Sequence, residues 1–157
     1  MPYPEPAWRI ATESKLKHLE MIQAVITRMA NNSFLVKGWC LTLVSGLLAL
    51  AGGKDGNTKL VFVTYLPLLM FWYLDGFFLQ QERLFRKIYD YHRQQPETDF
   101  AISPADIPED QKTVDDVVRV MRSKTLLAFY GMTLIAVVIA TCILNDTIRN
   151  GLKSFFA

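Results

Sequence analysis

Two ionisable residues, Lys37 and Asp75, stand inside stretches that are otherwise apolar and close to bilayer length, 34–53 and 60–81. A charge in hydrocarbon is costly unless it pairs or snorkels to the interface. The chemistry open to such residues is electrostatic: a clasp between helices, a station on an ion path, or a latch released when a pair breaks. A turn, Gly52-Gly53-Lys54-Asp55-Gly56-Asn57, joins the two stretches. In a tight antiparallel hairpin turning there, residues whose numbers sum to about 113 lie at equal depth. Lys37 is then level with Asp75 and Gly76, and Gly38 lets the backbones approach. An ion pair is expected, with snorkelling of Lys37 as the alternative.

Other residues mark packing rather than reaction. Gly38, Thr42, Ser45/Gly46, Ala49 and Gly53 form a small-xxx-small stripe, which permits close helix packing in lipid, in this chain or between chains. Pro67 removes one backbone bond near Val63, so a kink is expected. A third apolar stretch carries Ala136 and Ala140 at the same spacing. Its mildly polar face, Thr133, Val137, Thr141 and Leu144, would either line a narrow pore closed by dewetting or pack with the threonines bonded to their own helix. Beyond the second stretch, Arg83, Arg86, Lys87 and Arg93 stand among Phe85, Tyr89 and Tyr91. Basic residues beside a membrane contact anionic lipid; with aromatics they also suit a phosphate or nucleotide.

No enzymatic constellation is legible. His18 and His92 are isolated along the chain, without zinc spacing, and neither a phosphate loop nor a GxSxG motif is present. Neither catalysis nor a metal or cofactor is expected.

The elements that position these residues follow from hydropathy. The chain has 157 residues, 51% of them hydrophobic, and a net charge of +2, too small to argue for nucleic acid. Residues 125–145 are free of charge and long enough to cross a bilayer. The expected fold is an all-α membrane protein in one domain, with spans at 34–53, 60–81 and 125–145. Residues 1–8 read as a proline-rich extended arm. Leu16, Leu19, Ile22, Ile26 and Met29 then share a face, predicting one helix from about Ile10 into the first span. Ala49-Leu50-Ala51 resembles a signal-cleavage site, but the long polar region before it predicts a retained span. The second span continues through Ile88 to Pro96. Residues 96–112 read as a linker without a core of its own, with a turn capped by Ser103, and Thr113 reads as the cap of the last helix. Lys and Arg crowd the N-terminal flank and 81–124, which predicts a cytoplasmic N-terminus and an external tail laying Phe155 and Phe156 on the headgroups. Cys40 and Cys142, at different depths, predict no disulfide.

The junction RMANNSFLVKGW and the return LPLLMFWYLDGFFLQQERLFRKIYD resemble the small membrane effectors of bacterial anti-phage systems, the SLATT-like group, with the Hailong-type effectors as a narrower candidate. The resemblance covers about residues 15–95. It implies homo-oligomeric pores, a tetramer among the possible assemblies, that depolarise the cell. It also implies control by a nucleotide or oligonucleotide from a partner nucleotidyltransferase, with Arg83, Arg86 and Lys87 as candidate contacts. A non-conducting anchor for a cytosolic partner and a holin-like toxin are the alternatives.

Overall fold

The structure, a computed structural model, describes residues 7–53, 59–96, 99–109 and 114–155, with side chains apart from those of 7–11, 106 and 145–155. Every element among them is helical: α1 (Ala7–Gly52), α2 (Lys59–Val63), α3 (Tyr65–Gln94), a 3-10 turn (Pro104–Asp106), α4 (Val117–Met121) and α5 (Lys124–Phe155). Three stretches, Thr12–Gly52, Lys59–Gln94 and Lys124–Leu144, are long and apolar enough to cross a membrane. The chain is an all-α membrane protein.

Helix α1 runs for 46 residues without a proline. At 1.5 Å per residue it is about 70 Å long, more than twice the hydrocarbon thickness. It starts at Ala7, inside the segment expected to be extended, and stops at Gly52, before a second glycine. The return helix breaks where Pro67 predicts. Proline has no N–H for the Val63 carbonyl, and α2 ends at Val63. The buried Thr64 turns the chain, its N–H and hydroxyl both donating to the Val61 carbonyl (3.2 and 2.5 Å).

The third span departs from expectation at both ends. The helix before it does not lead in unbroken: Arg122 and Ser123 close turns onto Arg119 and Val120, and α5 begins afresh with Leu127 N–H bonded to the Ser123 carbonyl. At its far end the helix continues past Asn145 to Phe155, where a tail was expected. The expected cap Thr113, Phe156 and most of the first turn lie outside the described residues.

The chain divides into two compact units, Met1–Asn32 with Phe78–Asp116, and Ser33–Phe77 with Val117–Ala157. The first has a core that the sequence reading did not anticipate. Ile22 and Ile26 of α1, Ile88 of α3 and Ile107 of the linker are buried together, with Leu84, Phe85 and Ile102 against them. The Lys15 ammonium donates to the Arg93 and Gln95 carbonyls (2.9 and 2.6 Å), satisfying acceptors that the end of α3 leaves open. Ser103 Oγ accepts from Ala105 N–H at 3.2 Å and caps the 3-10 turn.

The second unit packs three apolar helices. Val36, Cys40 and Val44 of α1 are buried at a spacing of four, as are Leu68, Leu126 and Tyr130 of this unit. Large apolar side chains such as Phe34, Trp39, Leu66, Met132 and Ile143 face outward. That polarity suits lipid as the surrounding solvent. Both cysteines are free thiols.

Candidate functional site

The polar centre of the second unit is built from α1 and α3. Lys37 Nζ lies 2.6 Å from Asp75 Oδ2, the carboxylate having no exposed surface and the lysine side chain 20%. Ser33, one helical turn before Lys37, closes the group. Its hydroxyl donates to Asp75 Oδ1 and accepts from Lys37 Nζ at 2.9 Å. Oδ1 accepts a hydrogen bond and Oδ2 is held by the ion pair alone, so the charge is neutralised inside the apolar unit, the condition under which a buried ion persists. Lys37 also approaches the Phe129 ring, 6.0 Å from its centroid.

Aromatic side chains extend this polar line. Trp72 stacks on Tyr130 with ring centroids 5.7 Å apart and planes 8° from parallel. The Trp72 indole N–H donates to the Met121 carbonyl (3.0 Å) and the Tyr130 hydroxyl to the Phe71 carbonyl (3.1 Å). Thr141 donates to Val137 O at 2.7 Å, so Tyr65, 3.3 Å from the Thr141 oxygen, is the donor of that pair. Ser33, Trp72 and Tyr130 were not singled out in sequence. Only Ser33 left a signal there, its four-residue spacing to Lys37.

The packing candidates sort into two kinds. A methyl group at Gly38 or Gly46 would meet no neighbouring element within 4 Å, and Thr42, whose hydroxyl bonds the Gly38 carbonyl at 3.0 Å, is exposed. The stripe therefore faces away from the chain's own helices, and Gly38 does not bring Lys37 to Asp75. The close approach is at Gly76, where a methyl would stand 2.5 Å from Met121 Cγ. Pro67 is half-buried, Ala136 exposed and Ala140 intermediate.

The face of α5 expected to line a pore does not stand open. Val137 has no exposed surface and Thr133 is buried. Thr133 donates to the Phe129 carbonyl at 2.8 Å, as Thr141 does to Val137, so these hydroxyls are satisfied on their own helix. Leu144 is half-buried and lies against Gly52. These residues are part of the packing of one chain.

The basic residues of α3 are likewise engaged. Arg86 makes two bonds to one Glu82 oxygen (2.9 and 2.7 Å), Arg93 lies 3.5 Å from Asp90, and Arg83 lies 3.6 Å from Asp115. Lys87 is exposed. Phe85, Tyr89 and Tyr91 pack on the isoleucine core and are half-buried. Four cations, Arg83, Arg86, Lys87 and Arg93, against Glu82, Asp90 and Asp115 leave this face with a net positive charge.

No protein-family model, curated protein or solved structure matches this chain.

Proposed function

We propose that the chain is a homo-oligomeric membrane effector whose assembly conducts ions, in the manner implied by its resemblance to SLATT-like effectors. The observation that carries the reading is the outward face of α1. Gly38, Thr42 and Gly46 form a small-residue stripe with no helix against it among the described residues. In lipid such a stripe gains from close contact with another helix, and a second copy supplies one. One chain alone offers no conduit, because the inner face of the second unit is filled by Cys40, Leu68, Tyr130 and Val137. Conduction therefore belongs to an axis between copies. The Ser33–Lys37–Asp75 group is the natural latch, a paired charge that reports on the separation of α1 and α3. By the distribution of Lys and Arg, we place the N-terminus in the cytoplasm of a bacterial cell and the C-terminus outside. The activating signal is a nucleotide or oligonucleotide reaching the basic face of α3, with anionic lipid as the competing ligand; no catalytic role is assigned.

Gly46→Cys in a Cys142→Ser background tests the assembly: oxidation should give disulfide-linked dimers that the background protein, with the buried Cys40 alone, should not give. Reconstituted protein should carry current in a planar bilayer, and bulky Gly46→Leu should abolish it. Silent bilayers together with a monomeric protein would leave the anchor reading in its place.

A further inference from the structure

Two residues that sequence spacing left isolated come together in the first unit. His18 of α1 (1% exposed) and His92 in the last turn of α3 (7% exposed) lie with ring centroids 4.6 Å apart, at an interplanar angle of 65°. Asp99, from the linker, joins them. One ring nitrogen of each histidine and one carboxylate oxygen all lie within 4.8 Å of one another. We propose that His18, His92 and Asp99 hold a divalent transition-metal ion, Zn2+ by its ligand set, tying the linker to the two helices.

Two imidazoles and a carboxylate are the donors zinc takes when three protein ligands leave a fourth position for water. The set also excludes the hard cations, since Mg2+ and Ca2+ prefer all-oxygen surroundings. Metal–ligand bonds of 2.0–2.2 Å place ligand atoms about 3.3 Å apart in a tetrahedral site. The present cluster reaches that by a modest contraction, for which Asp99, exposed on the linker, has the freedom.

The surrounding bonds orient the ligands as a metal site requires. His18 Nε2 is 2.6 Å from the Ala101 carbonyl, which only accepts, so Nε2 is the donor and Nδ1 is the nitrogen assigned to the ion. A ligating histidine fixed by an N–H bond to a carbonyl through its other nitrogen is the usual outer-sphere arrangement. The same residue holds the carboxylate: Ala101 N–H donates to Asp99 Oδ1 at 2.9 Å. Between Asp99 and Ala101 stands Phe100 in the left-handed region (φ 60°), with its ring 5.7 Å from His18.

The test uses the full chain in detergent, stripped with chelator and dialysed against Zn2+. One zinc per chain should be retained, with a rise in Tm, because an ion that binds only the folded state stabilises it. Co2+ in its place should give the visible ligand-field bands of a tetrahedral N/O site. Asp99→Asn, at an exposed position where folding is not at stake, should weaken zinc binding at least tenfold and remove the Tm rise; His92→Gln should abolish both. If wild-type protein retains no more zinc than His92→Gln, or Asp99→Asn binds as wild type does, the proposal fails. Circular dichroism of each variant separates lost binding from lost fold.

Discussion

Ser33 changes what the loss of Lys37 or Asp75 should do. The three side chains form a closed group, so removing one leaves two polar partners in an apolar unit. Asp75→Ala should destabilise the membrane unit by about 3–5 kcal/mol, the usual result of stranding one member of a buried pair. Lys37→Met combined with Asp75→Ala should recover much of that loss. Ser33→Ala should cost about 1–3 kcal/mol, since an Asp75 oxygen loses its donor. Denaturant unfolding in detergent reads all three, and a double-mutant coupling near zero would deny the contact. The depth match of Lys37 and Asp75 could be read from numbering, and in the structure the two side chains meet. The same arithmetic applies to His18 and His92, whose numbers add up to nearly the same total. Spacing along the chain does not show them, because the pair forms across the hairpin. Asp99 was beyond such reasoning, because its place depends on the path of a linker with no periodicity.

At the scale of elements, two glycines of one hairpin make opposite predictions. Gly76→Ala puts a methyl group against Met121 and should cost about 1–3 kcal/mol of protomer stability, read by thermal unfolding. Gly38→Ala meets nothing in its own chain and should leave the protomer as stable or more so, since alanine favours a helix interior by up to about 1 kcal/mol. Its effect should fall on self-association, read by crosslinking. Spacing marked Gly38 as a packing residue and placed Gly76 only at the depth of Lys37; which side of the helix meets a partner is a tertiary fact. Pro67 was legible because its missing N–H acts locally. The break at Arg122–Ser123 was not, since neither residue is a strong breaker. The extension of α5 past Asn145 was missed for the converse reason: Asp146 and Arg149 end an apolar run without ending a helix.

For the whole molecule, hydropathy was enough for the class, three spans and no strand among the described residues. It was not enough for the first unit, because four isoleucines scattered over two helices and a linker make no run that a hydropathy window detects. Ile88→Ala should lower the stability of that unit by about 2–5 kcal/mol. Limited proteolysis should then cut near the linker while the apolar helices stay in the membrane; unchanged protection would mean that the isoleucine cluster does not hold the unit together. A reporter that works only outside the cytoplasm should be active when fused after Ala157 if the proposed orientation holds.

The bond from Trp72 to the Met121 carbonyl also bears on biogenesis. Met121 ends α4, and the last carbonyls of a helix lack intrahelical donors, a costly state away from water. The indole that serves this one is made earlier in the chain, so it is already in the bilayer when the last span leaves the ribosome. The order of synthesis then matches the order of need: a docked donor waits for the acceptor, and the last helix is received by a finished hairpin.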